Sequence, residues 1–100
     1  MLYQQGDVLF TSAMADEDAA WKKGRGHVLA KGEATGHAHV AVDETEVVER
    51  SGEIIMIRCD EPFTVSHDEH HPITIPAGTW EVGRVREYDH FAEEARTVLD

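Results

Sequence analysis

IIMIRCDEPFTVSH, residues 54–67, decides how the rest of the chain is read. Two runs rich in β-branched and aromatic residues, Ile54 to Arg58 and Phe63 to His67, are split by Asp60-Glu61-Pro62. Each run is too short for a helix and has the composition of a strand, and the acid-Pro punctuation between them stops either from continuing. The same pattern extends outward in both directions, at Asp7 to Thr11, His27 to Ala30, His37 to Val42, Glu46 to Arg50, Ile73 to Ile75 and Trp80 to Val85. Ser51-Gly52 and Ala77-Gly78 supply turn residues between neighbouring runs. Short strands with frequent turns predict an all-β chain, a mainly antiparallel small barrel or sandwich.

One or two short helices are expected beside the strands. Ala15 to Lys23 places Asp16, Glu17 and Asp18 in a first turn, Lys22 and Lys23 in a last turn, and Gly24 as a stop, the charge order a helix dipole favours. Asp89 to Arg96 offers a second, with Asp89 as N-cap and Glu93 and Glu94 close behind it.

A chain of 100 residues has room for one hydrophobic core, so residues 1–100 are expected to form a single domain. Acids outnumber bases 20 to 9, for a net charge of −11, which repels phosphate backbones and anionic headgroups and argues against nucleic-acid and membrane partners. No apolar run approaches the roughly 20 residues of a membrane span, and the start MLYQQGDVLF lacks a signal-peptide pattern, so a cytoplasmic location is expected. Cys59 is the sole cysteine, which excludes an internal disulfide and predicts a buried, inert thiol.

Histidine is the unusual feature. In GHAHVAV, residues 36–42, strand alternation sets His37, His39 and Ala41 on one face and Ala38, Val40 and Val42 on the other. A purely apolar criterion turns the second face to the core and both histidines to solvent. The two-sided apolar run 54–59, however, suggests a sheet covered on both faces, which allows an inward pair. Farther on, Phe63, Val65 and His67 share a face, so His67 closes a stripe that begins as core, just before the loop Asp68-Glu69-His70-His71-Pro72.

Two histidine-bearing segments aimed at one point are what metal coordination requires, because neutral imidazole nitrogens must converge about 2.0–2.1 Å from the ion. The expected ligands are His37, His39, His67 and His70, with Glu69 or Glu33 as an oxygen ligand. The ion is a divalent transition metal, Zn, Fe, Mn, Co, Ni or Cu, between which these donors do not choose. His27 and His90 stand alone among unrelated neighbours and are set outside the site. Sequence motifs for phosphate loops, dinucleotide binding, serine-nucleophile elbows and C-x-x-C redox pairs do not occur. Ser66-His67-Asp68 cannot act as a relay, since adjacent strand residues face opposite ways.

LAKGEATGHAHVAV, HDEHHPITIPAGTWEV and the closing REYDHFAEEARTVLD resemble a family of small uncharacterised bacterial and phage proteins. Its pattern runs G-E-x-T-G-H-x-H, then H-x-E-H-x-P-I-x-L-P-x-G-x-Y, and a tail beginning R-E-Y. The resemblance puts His37 and His39 in the first motif and His67, Glu69 and His70 in the second, with His71 at a variable position. Ile75 replaces Leu and Trp80 replaces Tyr; no activity is implied. A partial similarity to cupins rests on Gly32, His37, His39, Glu44 and Pro76-Ala77-Gly78, but Glu81 stands where a cupin histidine falls. The resemblance implies a cupin-like or β-clip-like fold. Three functions are therefore compatible with the sequence. One is a metal-binding domain, and another is a cupin-like metal-dependent enzyme with a small-molecule ligand near the ion. The third is a metal-free interaction module of a phage or conflict system, in which Trp21 or Trp80 meets a protein partner or a second copy of the chain. Trp80 is expected in the core, beside Val82 on its strand.

Overall fold

A computed structural model describes residues 1–31 and 37–85. Among the described residues ten strands are present: β1 (Leu2–Gln5), β2 (Val8–Ser12), β3 (Lys22–Gly24), β4 (His27–Lys31), β5 (Ala38–Ala41), β6 (Thr45–Arg50), β7 (Glu53–Cys59), β8 (Phe63–Ser66), β9 (Ile73–Ile75) and β10 (Gly78–Arg84). They form a six-stranded sheet, β1-β2-β10-β7-β6-β3, and a four-stranded sheet, β4-β5-β8-β9. Every strand pairing among the described residues is antiparallel. No ladder joins the two sheets among the described residues, so the barrel alternative is replaced by two separate sheets.

Turn chemistry fixes the register. Arg50 pairs with Glu53 around Ser51-Gly52, whose φ values of 53° and 79° are both positive, the geometry that matches the twist of a two-residue hairpin. The β1–β2 hairpin closes on Gly6-Asp7, with Gln5 opposite Val8. Ala77-Gly78 behaves differently from a hairpin turn, because it carries the chain from β9 in the smaller sheet to β10 in the larger.

Both sheets turn an apolar face inward. Val8, Phe10, Val47, Ile57 and Trp80 come from the larger sheet, and Leu29, Ala30, Ala41, Phe63, Val65 and Ile75 from the smaller. Fully burying one such side chain stabilises by about 1.5–3 kcal/mol. Trp80 lies in this core, as its strand position predicts; its indole N–H donates to Pro76 O at 3.0 Å and its ring meets Tyr3 edge to face at 5.4 Å. A register shift between Val28 and Ala30 explains why consecutive Leu29 and Ala30 are both buried, since a bulge breaks strict alternation.

The helix expected over Ala15 to Lys23 is not present. Asp16 caps a local turn instead, its carboxylate accepting from Asp18 N at 3.1 Å and its carbonyl from Ala19 N at 3.2 Å. Aspartate side chains compete with helices in this way, and nine residues without an apolar stripe are too few for a stable isolated helix. Lys22–Gly24 pairs with β6 as an edge strand. Trp21 closes the turn, donating to Asp16 O at 2.7 Å, while Arg58 stacks 4.1 Å from its ring. No helix occurs among the described residues, and none is long and apolar enough to cross a membrane. The helix expected at Asp89 to Arg96 lies outside the described residues. Cys59 is half-buried rather than buried, with Sγ 3.5 Å from Glu44 O.

Candidate functional site

Strand β5 reverses the apolar criterion. His39 and Ala41 are buried, 4% and 0% exposed, while Ala38 and Val40 are only half-buried on the opposite face. An inward histidine is tolerable because a polar partner waits for it: Gln5, at the end of β1, is itself 3% exposed. Gln5 Nε2 lies 3.0 Å from Val65 O and 2.9 Å from His71 O. Both carbonyls can only accept, so the amide NH2 must face them and Oε1 must face the imidazole. His39 Nδ1, 2.8 Å from that oxygen, therefore carries the proton and donates it. In the neutral ring Nε2 is then the bare nitrogen, the tautomer a ligand or base needs there.

The other histidines form a cluster with this ring. The His67 ring lies 4.3 Å from the His39 ring, centroid to centroid, and 4.6 Å from His70. His39 and His70 stack at 5.9 Å, and His37 meets His67 edge to face at 5.9 Å. Against this group sits the β1–β2 turn, where Gly6 has a φ of +59° and a Cβ would fall 2.8 Å from His70 Nε2. Next to it Asp7 places Oδ1 3.7 Å from His39 Nε2, while Oδ2 accepts from Arg84 at 2.8 and 3.0 Å.

His39 has its pKa lowered from 6.5 to about 4. Burial is the main cause and the neighbouring His67 adds to it; Asp7 pulls the other way, and His70 and Arg84 act with burial. At neutral pH the ring is uncharged, as a ligating imidazole must be.

The four expected histidine ligands thus lie together, where the β1–β2 turn, β5 and the 67–71 segment meet. Glu69 joins them through His37, its Oε1 2.5 Å from His37 Nδ1, while its backbone N–H donates to His67 Nδ1 at 3.0 Å. His71 contributes its carbonyl and leaves its ring exposed. His27 lies elsewhere on β4, its Cε1 3.2 Å from where a Gly24 Cβ would stand, and its Nε2 is buried without a hydrogen-bond partner. Glu33 and His90 lie outside the described residues. As the side chains stand, no three His, Cys, Asp or Glu groups among the described residues are arranged to hold an ion. Two surface grooves, one including Lys23, Thr45 and Arg58 and the other Val28, Ile54 and Val82, include none of the four histidines.

Gln5, Asp7 and Arg84 are the members that sequence reasoning missed. Gly6-Asp7 is a legible turn signal, but nothing in it shows that this hairpin ends beside residues more than thirty positions away. A family profile described as a domain of unknown function, DUF8820, matches residues 4–85, a span that holds both histidine segments and the β1–β2 turn. No curated protein and no solved structure matches the chain.

Proposed function

Because the chain belongs to the DUF8820 family of domains of unknown function, its role has to be argued from its own side chains, and we propose that it binds one divalent transition-metal ion through His39, His67, His70 and His37. The observation that carries this reading is the convergence of rings from two separate segments, with His39, His67 and His70 centroids 4.3–5.9 Å apart and His37 5.9 Å from His67. Two imidazoles bound to one ion at about 2.0–2.1 Å in a tetrahedral arrangement have centroids about 5 Å apart, so the observed spacings bracket the required one. His39 is the anchor, since packing and Gln5 fix both its position and its bare nitrogen. His67, His70 and Glu69 belong to a loop whose residues 68–72 are exposed, and it is this loop that closes on the ion. His67 exchanges its bond from Glu69 N–H for the metal or ligates through its other nitrogen, and Glu69 is the alternative oxygen ligand.

Four protein ligands would make the ion a structural staple for a small core; three plus water would leave an open position for chemistry on a small molecule. Zn, Fe, Mn, Co, Ni and Cu all suit imidazole. A cytoplasmic setting agrees with a single thiol and no disulfide. Calorimetric titration of chelator-stripped protein with zinc tests the assignment. His39→Ala and His67→Ala should each abolish tight binding, whereas His27→Ala and His90→Ala should leave it intact. Equal damage from His27→Ala and His39→Ala would refute the two-segment site.

A further inference from the structure

Accepting the metal reading of the previous section, we infer that Asp7 supplies a carboxylate ligand to the same ion through Oδ1, from an element that carries none of the histidines. Between His39 and Asp7 two lone-pair atoms face each other. His39 Nδ1 gives its proton to Gln5, so the neutral ring presents a lone pair at Nε2. Opposite it, Asp7 Oδ1 at 3.7 Å also presents lone pairs. Two atoms that both present lone pairs cannot hydrogen-bond each other. A cation satisfies both at once.

Geometry agrees with this. Asp7 either makes a fifth ligand or takes the place of one histidine; neighbouring ligand atoms of a four- or five-coordinate ion, each about 2.0–2.1 Å away, are about 2.9–3.6 Å apart, so a closure of a few tenths of an ångström suffices. The carboxylate is already oriented: Arg84 grips Oδ2 with two N–H groups at 2.8 and 3.0 Å, which leaves Oδ1 turned toward His39. Gly6 is what lets the hairpin end come so close, because any Cβ there would be 2.8 Å from His70 Nε2. Residues 5–7 thus act as one arm, in which Gln5 sets the tautomer, Gly6 gives clearance and Asp7 provides the anionic donor. Imidazoles joined by one carboxylate favour divalent ions such as Mn, Fe, Co, Ni or Zn over Cu(I), which prefers soft thiolate and thioether donors.

The test uses Co(II) as both ion and reporter. Chelator-stripped protein is titrated with Co(II) at about pH 7.5, comparing the native chain with Asp7→Asn, Asp7→Cys and His39→Ala. Asp7→Asn should weaken binding about 10-fold or more and change the visible d–d bands. Asp7→Cys should bind Co(II) with a near-ultraviolet thiolate-to-cobalt charge-transfer band absent from the native protein, whose own Cys59 lies elsewhere. Asp7→Asn that matches the native affinity and spectrum, while His39→Ala loses the ion, overturns the role of Asp7 and leaves the histidine site standing. A native chain that binds no Co(II) overturns the metal reading itself, and the Asp7 assignment with it. If the variants fail to fold, the crystal structure of the native zinc form decides: Asp7 Oδ1 at about 2.0–2.2 Å from the ion supports the assignment, and an ion held by the histidines without that oxygen contradicts it.

Discussion

His39 Nδ1 donates to Gln5 Oε1 across 2.8 Å, and both partners are almost fully buried, at 4% and 3% exposure. Gln5 spends its remaining hydrogens on Val65 O and His71 O, so one amide orients a ring, secures the end of β8 and pins the histidine loop. Gln5→Leu keeps the side chain's approximate size and strands a buried imidazole N–H and two carbonyls. The buried imidazole N–H left without a partner costs about 1–3 kcal/mol. Urea denaturation of metal-free protein should show a loss of at least that size, and a variant as stable as the native chain would mean the amide is not bonded as described.

Stability should fall on mild acidification. His39 titrates near 4 when folded and at 6.5 as a free side chain, so between those values the unfolded chain binds the additional proton. Unfolding is then favoured as pH drops. The contribution is fully present above about pH 6.5, is lost progressively toward pH 4, and amounts to at most roughly 3 kcal/mol at about 1.4 kcal/mol per pH unit. His39→Asn keeps a donor for Gln5 and removes the titration. Denaturation midpoints at pH 7 and pH 5 should therefore converge in this variant relative to the native chain; an unchanged pH slope would assign the effect to other groups.

Gly6→Ala should be damaging out of proportion to one methyl group. The position has φ +59°, and a Cβ there would press on His70 Nε2 at 2.8 Å and His39 Cε1 at 3.2 Å. Left-handed backbone alone costs an L-residue about 1–2 kcal/mol, and the contact adds to that by displacing the His70 ring. Thermal melting of the metal-free variant reads the first effect, and a weakened zinc affinity reads the second. Wild-type values for both would contradict the packing of the turn against the rings.

The two tryptophans should separate sharply. Trp80→Ala removes a core ring and should cost about 3–5 kcal/mol. Trp21→Ala removes an Arg58 stack and a hydrogen bond at the surface, and should cost about 1 kcal/mol. Comparable losses in denaturant titrations would argue that Trp21 is more deeply seated than its position shows.

Strands such as Ile73–Ile75 were legible because period-two patterning and Gly/Pro punctuation are local properties. β1 and β3 were not: Leu2–Gln5 carries two glutamines and Lys22–Gly24 two lysines and a glycine, and each becomes a strand only through its neighbour in the sheet. The same locality misled at Ala15 to Lys23, where helix-like charge order lost to an aspartate turn and edge pairing. In the site, spacing pointed to His37, His39 and the segment His67 to His71, and the family resemblance set His70 apart from His71. Which way β5 faced depended on Gln5, and Asp7 depended on where a distant hairpin ends; both are consequences of tertiary contact that no periodicity encodes. The two-sheet arrangement, as against a closed barrel, is likewise a matter of which edges pair.

Elemental analysis of the untagged protein, before and after reconstitution with zinc, manganese, cobalt or nickel, tests the central claim most directly. The histidine cluster predicts close to one equivalent of a divalent transition metal per chain, removed by chelator and restored by adding the ion back. Substoichiometric metal that reconstitution cannot raise would contradict it.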